Sequence, residues 1–333
     1  MQLNAIRYAA TAALMLALFV VMLGAYTRLT DAGLGCPDWP GCYGHLVLPS
    51  SEQALQTAQG SYPEIPIEAG KAWTEMAHRY AAGTLGLLIL GMSLALFSRK
   101  RKGNKLPWKL PLFLLFMLLF QAALGMWTVT LKLLPVVVMG HLLGGIIIFS
   151  SLALLRLQLS SLLPTHLPTW RFWIGLGACI VFCQIALGGW VSSNYAGIAC
   201  IGFPQCNGQW VPALNAEGFN LFSPIGANYQ GGVLDSAIRV TIQYVHRVGA
   251  LVTATYLLIL SGLLLAKVTY RPLRLLAIAA IGLVIVQFIL GVLNVVYLLP
   301  LPIAVLHNGV AALLLATVVM MVYVTQGGLS NAR

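Results

Sequence analysis

Eight long apolar segments decide the fold class of this sequence. They cover residues 8–27, 76–97, 110–131, 136–155, 172–192, 238–264, 274–297 and 303–324. An apolar run of about 20 residues can cross a bilayer as an α-helix. Of the 333 residues only 8% are charged and 59% are hydrophobic, which excludes a water-soluble globular protein of this size. The sequence therefore predicts an all-α integral membrane protein with eight transmembrane helices.

The positive charges predict how these helices are oriented. The net charge is +11, and most basic residues lie at the termini and in one set of short loops: Arg7, Arg99, Lys100, Arg101, Lys102, Lys105, Lys109, Arg156, Arg171, Lys267, Arg271, Arg274 and Arg333. Because basic loops stay on the cytoplasmic side, we expect both termini in the cytoplasm and the long loops, 28–74 and 194–237, outside. Topology explains the charge, so no nucleic-acid partner is expected. The sequence lacks an arginine-rich transit peptide, which favours a bacterial cell (inner) membrane.

The chain contains an internal duplication. LGAYTRLTDAGLGCPDWPGCYG in the first half aligns with LGGWVSSNYAGIACIGFPQCNG in the second, and FQAALGMWTV aligns with VQFILGVLNV. A repeat this long indicates two domains, and an even number of helices in each gives both the same orientation. We therefore expect two tandem, pseudo-symmetric four-helix bundles, residues 1–160 and 161–333, each with a site between facing helices.

Four histidines lie in the apolar segments, and they form two repeated pairs. His78 and His246 are 168 positions apart and are each followed by arginine, whereas His141 and His307 are 166 apart. An ionisable side chain in a membrane is costly and usually functional. Two facing imidazoles can provide both axial ligands of a haem iron, so one haem site is expected in each half, near the outer surface. The alternative is that the four histidines only pack against neighbouring helices and bind no metal.

Glu75 distinguishes the two halves. It precedes His78 by three positions, and on a helix it therefore shares the same face. The corresponding residue before His246 is Gln243, which cannot ionise. A carboxyl group beside only one site suits proton transfer at a reacting haem, so Glu75 is the candidate catalytic residue. Two alternatives are a first-turn glutamate stabilised by the helix dipole and a zinc site that Glu75 would complete.

Arg79 and Arg247 follow the first histidine of each pair. Arginine suits carboxylates, so both are candidates for contacts with haem propionates at the outer surface. The alternative is that each guanidinium extends to the lipid headgroups.

Two cysteine pairs share one spacing and fall in the outer loops. Cys36 and Cys42 are separated as Cys200 and Cys206 are, and the outer compartment permits oxidation. We therefore expect the disulfides Cys36–Cys42 and Cys200–Cys206. They could hold each loop over its site or take part in redox chemistry.

Together these motifs resemble the heme A synthase family over nearly the whole chain, in its bacterial form with cysteine pairs in the outer loops. The motifs are LGAYTRLTDAGLGCPDWPGC, ExxHR at 75–79, GHLLGG at 140–145, the second HR at 246–247 and LHNG at 306–309. The resemblance implies successive hydroxylations that oxidise the C8 methyl of haem O to a formyl group, giving haem A for terminal oxidases. It also implies a haem b whose iron is held by His246 and His307, and a substrate haem near His78, His141 and Glu75.

The resemblance implies an electron donor, which the sequence does not identify, and a complex with haem O synthase is plausible for an insoluble substrate. If His78 and His141 both ligate the substrate haem, no axial position is open for oxygen. Either one histidine releases, or electrons leave the methyl by another route. Two other functions fit the four histidines: a two-haem cytochrome b that relays electrons from quinol, and a haem or quinone transporter. The first does not explain Glu75, and the outer position of the histidines argues against the second.

Overall fold

Helices make up most of this protein. The computed structural model describes residues 3–63, 65–101 and 106–327, so the predicted cytoplasmic charges Lys102, Lys105 and Arg333 lie outside the described residues. Within these ranges the α-helices are α1 Leu3–Leu29, α2 Glu52–Ser61, α3 Ala69–Arg101, α4 Lys109–Thr130, α5 Pro135–Gln158, α6 Pro168–Ser193, α7 Ser236–Lys267, α8 Arg271–Val296 and α9 Leu301–Val324. All except α2 are long and apolar enough to cross a membrane. The predicted eight-span, all-helical fold is confirmed.

The helix α3 begins earlier than its apolar segment suggested. It starts at Ala69 instead of residue 76, and its first turn contains no acidic residue. Apolar runs mark where a helix enters lipid, whereas the backbone can continue as a helix into the outer loop. Glu75 therefore lies in the second turn, and the explanation that it is a first-turn glutamate stabilised by the helix dipole is wrong.

The backbone repeats at aligned positions of the two halves. The turns between α4 and α5 and between α8 and α9 each use two consecutive residues with positive φ, 132–133 and 298–299. Asp31 and Tyr195, which the duplication aligns, also share a positive φ, as do Tyr43 and Asn207. Non-glycine residues rarely adopt this conformation, so its recurrence shows that these turns have the same backbone conformation in both halves.

The helices of the two halves pack through a shared apolar core. In the first half α1 packs against α3 and α5, and α4 against α5; in the second, α7 packs against α6 and α8, and α9 against α6 and α8. Between the halves, α1 and α5 contact α9, and α5 contacts α6. One buried cluster accordingly includes Ala10, Leu152 and Val318. The domain division at residue 160 and the cytoplasmic termini stay predictions.

Arg28 links the halves at the C-terminal end of α1. Its guanidinium donates to the Ser192 carbonyl at 2.5 Å and lies 3.8 Å from the centre of the Tyr195 ring. It also forms an ion pair with Asp31 at 3.5 Å. The duplication aligns Arg28 with Ser192 and Asp31 with Tyr195, so these residues meet at their own counterparts where the halves join.

Candidate functional site: two histidine pairs

The histidine pair of the first half joins α3 to α5. The ring centroids of His78 and His141 are 6.3 Å apart, and the ring planes are inclined at 73°. Imidazole nitrogens bind transition metals at about 2 Å, so two rings on opposite sides of one ion have centroids on the order of 6 Å apart. In addition, Nδ1 of His141 is buried and has no hydrogen-bond partner among the described residues. The separation of the two rings is therefore compatible with two ligands of one iron ion.

The histidine pair of the second half joins α7 to α9. Nδ1 of His246 lies 3.0 Å from Nε2 of Gln184, and Nε2 of His307 lies 3.1 Å from Nε2 of Gln287. Nδ1 of His307 is buried without a hydrogen-bond partner in the described part of the chain. As in the first half, facing helices hold two partly buried imidazoles, one with a buried, unsatisfied nitrogen. The donor set again fits a haem.

Each of the four histidine rings lies against a glycine on a neighbouring helix. A Cβ atom at Gly24 would come within 3.0 Å of the His78 ring, and one at Gly188 within 3.1 Å of the His246 ring. A Cβ at Gly125 or Gly291 would lie 3.4 Å or 3.2 Å from the ring of His141 or His307, respectively. The duplication aligns Gly24 with Gly188 and Gly125 with Gly291. These four glycines therefore make the space that the rings occupy.

The Glu75 carboxylate is buried and fully engaged with protein groups. One oxygen accepts from the Arg79 guanidinium at 2.5 Å, and the other accepts from the backbone N–H of Cys36 at 2.9 Å. Gln243 at the equivalent position instead donates to the Gly197 carbonyl at 3.2 Å. No group of three or more His, Cys, Asp or Glu residues that could hold a metal ion occurs within the described ranges. Glu75 therefore does not complete a zinc site there.

The two arginines bind backbone carbonyls of the two disulfide loops. The Arg79 guanidinium donates to the carbonyls of Asp38, at 3.0 Å, of Pro40, at 3.3 Å, and of Gly41. The guanidinium of Arg247 donates to the carbonyls of Gly202, at 2.8 Å, of Gln205, at 3.2 Å, and of Cys200. For these arginines the sequence suggested contacts with haem propionates or lipid headgroups, and it did not suggest contacts with loop carbonyls. The propionate contacts stay a prediction.

Both cysteine pairs form disulfides, Cys36–Cys42 and Cys200–Cys206, as predicted. In the first loop the hydroxyl of Tyr43 donates to the Pro66 carbonyl at 3.1 Å. Burial raises the pKa of Tyr43, so its hydroxyl remains a donor at neutral pH. Each disulfide loop is thus fastened to the N-terminal part of the helix that carries the first histidine of its half, because the arginine following that histidine binds carbonyls of the loop.

These features define a class: a multi-pass membrane protein with two paired-histidine sites of the kind that binds haem. A family model described as cytochrome oxidase assembly protein (COX15-CtaA) matches residues 7–319. A Shewanella oneidensis protein named heme A synthase is 47% identical over 93% of both chains. Heme A synthases of Caulobacter vibrioides, 29% identical over 89% of both chains, and Neorickettsia sennetsu, 26% identical over 94% of this chain and 97% of that protein, are also similar.

The chain belongs to this family, and the resemblance to the heme A synthases is confirmed. The eight apolar helices, together with these bacterial relatives, identify it as a multi-pass bacterial membrane protein.

Proposed function

We propose that this protein is a heme A synthase, which oxidises the C8 methyl of haem O to a formyl group by successive hydroxylations and loss of water from the resulting gem-diol. One observation carries the division of labour: the two histidine pairs are alike, but only the first has a carboxyl group, Glu75, on the helix of its first histidine. A site that only carries electrons has no need of an acid, whereas a site that oxidises a methyl group has protons to remove.

In this proposal His78 and His141 bind and orient the substrate haem. Glu75 accepts a proton near the reacting methyl, and Arg79 and the Cys36 N–H fix the position of its carboxylate. His246 and His307 hold haem b, which supplies electron transfer when it is bound. Arg79 and Arg247 remain candidates for propionate contacts. An electron donor is required, and transfer of haem O from its synthase within a complex is a further part of the proposal.

Glu75 and Arg79 also hold the first disulfide loop in place beside the first pair. The carboxylate closes the gap between α3 and the disulfide loop, and the arginine holds three carbonyl oxygens of that loop. A covered site suits an oxidation whose intermediates should not escape, because closure excludes competing reactions with bulk water. Arg79 can thus position Glu75, the proposed proton acceptor, and both residues help to cover the site.

The test is to produce the protein in a host that makes haem O but no haem A, and then to extract and identify the haems. Haem A, or its hydroxylated intermediate, is the expected product. If only unmodified haems appear, although the protein is inserted and carries haem b, the proposal is wrong. A two-haem cytochrome b that relays electrons from quinol would then be the better interpretation.

A further inference from the structure

His246 is held by an amide, and the structure provides a space for it. Nε2 of Gln184, on α6, lies 3.0 Å from Nδ1 of His246 and donates to the backbone carbonyl of the same residue at 3.0 Å. A Cβ atom at residue 249 would collide with the side-chain oxygen of Gln184, so only Gly249 leaves room for the amide. The amide nitrogen faces Nδ1 of the ring. For Nε2 to bind a metal, Nδ1 would carry the ring proton, and the Gln184 amide would turn its oxygen toward Nδ1 to accept it.

The first half lacks both parts of this arrangement. The duplication aligns Gln184 with Val20 and Gly249 with Ala81. The alignment is structural, since Gly24 contacts the His78 ring as Gly188 contacts the His246 ring. Valine offers no hydrogen bond, and Ala81 carries the methyl group that would fill the space. Accordingly, the His78 ring has no hydrogen-bond partner within the described part of the chain.

The second histidines of the two pairs, His141 and His307, also differ in whether an amide contacts the ring. In the first half the Gln121 amide donates to the backbone carbonyl of His141 at 2.8 Å, and its side chain lies against Gly144, where a Cβ atom would come within 2.6 Å of the amide oxygen. The amide therefore fixes the backbone of α5 but does not hold the His141 ring.

In the second half Val310 stands at the position of Gly144, where in the first half a Cβ atom would collide with the Gln121 amide. The aligned amide of Gln287 instead lies 3.1 Å from the ring nitrogen Nε2 of His307. Both imidazoles of the second half are therefore held by amides, and neither imidazole of the first half is held in this way.

We propose that Gln184 is a positioning residue that makes His246 a permanent haem ligand, and that the lack of this amide at Val20 leaves His78 able to release its haem. This inference rests on the proposed function, which places haem b in the second half and the substrate haem in the first. A hydrogen bond that the second nitrogen of a metal-binding histidine donates to an acceptor, here the amide oxygen, fixes the ring orientation and strengthens metal binding. A retained cofactor benefits from that restraint, whereas a substrate has to enter and its product has to leave.

The proposal also identifies which histidine of the first pair would release the substrate haem. Two permanent ligands on a substrate haem would block both axial positions. The ring of His78 has no hydrogen bond to a side chain of the described residues and lies on α3 close to Glu75 in sequence, so His78 is the residue that would release a substrate haem beside the proposed proton acceptor. His141 then remains as the second ligand.

The first experiment removes the amide from the second half. Gln184→Met keeps the length and volume of the side chain but removes its hydrogen bonds. Transfer of haem b from the purified, full-length protein to an apoprotein acceptor is followed by absorbance. We expect loss to be roughly 10- to 100-fold faster, the usual effect of removing such a partner, and the ferric haem b signal in electron paramagnetic resonance to shift as the ring rotates. Cys183→Met, at an exposed neighbouring position on α6, is the control and should change neither quantity.

The second experiment builds the amide site into the first half. In the double variant Val20→Gln with Ala81→Gly, His78 should become fixed, and the purified protein should retain more haem O or haem A per haem b than the parent protein does. The single variant Val20→Gln is the matched control, because Ala81 still fills the space and the ratio should stay unchanged. This pair of variants keeps the proposal testable even if Gln184→Met does not assemble.

Two results would overturn the inference. If Gln184→Met keeps haem b as tightly as the parent protein, with an unchanged spectrum, Gln184 does not position His246 and the proposed function still stands. If the double variant in the first half retains no more substrate haem than Val20→Gln alone does, the restraint on the ring does not govern haem release. A parent protein that contains no haem b would instead overturn the proposed function together with this inference.

Discussion

The backbone N–H of Cys36 donates to the carboxylate of Glu75 at 2.9 Å and so joins the first disulfide loop to α3. The proposed proton acceptor is therefore also a tie between loop and helix. Arg79 reinforces the tie, because its guanidinium binds both the Glu75 carboxylate and carbonyls of the same loop. Changes at either residue should be separable into an effect on chemistry and an effect on loop position.

Glu75→Gln should abolish haem A formation while haem b is retained. Glutamine keeps an oxygen that can accept from the Cys36 N–H but cannot accept a proton at neutral pH, so the rate should fall by about 10² to 10⁴. Extracted haems, identified chromatographically, give the readout. Glu68→Gln, which removes an exposed ion pair with Lys71 near the start of α3, should leave product formation unchanged. Retained activity in Glu75→Gln would remove Glu75 from the chemistry.

Arg79→Met should release the first disulfide loop. The substitution removes the hydrogen bonds to the carbonyls of Asp38, Pro40 and Gly41, and a hydrogen bond to a charged group contributes about 1.5–3 kcal/mol. Hydrogen exchange measured by mass spectrometry should show faster exchange in residues 36–45. Arg247→Met should produce the same change in residues 200–209 and leave the first loop protected. Unchanged exchange in both variants would mean that the disulfides alone order the loops.

Alanine at the glycines beside the histidines should impair one haem site at a time. Gly188→Ala places a methyl group 3.1 Å from the His246 ring, so haem b content should fall, whereas Gly24→Ala, at 3.0 Å from His78, should reduce product formation and spare haem b. Haem content per protein and product yield are measured together. Gly91→Ala is the control, since a Cβ there meets nothing within 4 Å. If Gly24→Ala and Gly188→Ala had the same effect, the assignment of one haem to each half would be wrong.

Arg28→Met should weaken the join between the halves. It removes a hydrogen bond to the Ser192 carbonyl and a cation–π contact with Tyr195, with an expected loss of about 2–3 kcal/mol for the charged hydrogen bond and the ring contact. Thermal unfolding in detergent gives the measurement. Asp31→Asn breaks only a half-exposed ion pair, so it should change stability by less than about 1 kcal/mol. Equal losses in the two variants would show that the ion pair, not the link between halves, is the stabilising interaction.

Sequence alone predicted the spans, the loops and the histidine pairs, because each has a local signature. Apolar length identifies a membrane helix, and a polar residue within one stands out against its neighbours. The duplication then fixed which residues correspond, including Glu75 with Gln243. The disulfides followed from spacing and compartment. These features depend on residue type and on order along the chain.

The sequence did not predict the contacts that tune each histidine. The duplication aligns Gln184 with Val20, and only the structure shows that the Gln184 amide reaches Nδ1 of His246 in the space left by Gly249. The role of Arg79 was missed for a similar reason, since the loop carbonyls that it binds carry no sequence signal. The sequence alignment does contain the difference between Val20 and Gln184. Its effect on His246 becomes visible only when α6 is packed against α7.

Covalent linkage of the two halves has a consequence for how such a protein can change. In a symmetric homodimer every substitution occurs twice, so both sites would gain a carboxyl group, an amide or an extra methyl together. In a single chain, Glu75 and Gln243, Val20 and Gln184, and Gly144 and Val310 can differ independently. After a duplication within one gene, one half can therefore become specialised to keep its haem and the other to exchange it. A substitution in one half does not alter the corresponding residue of the other.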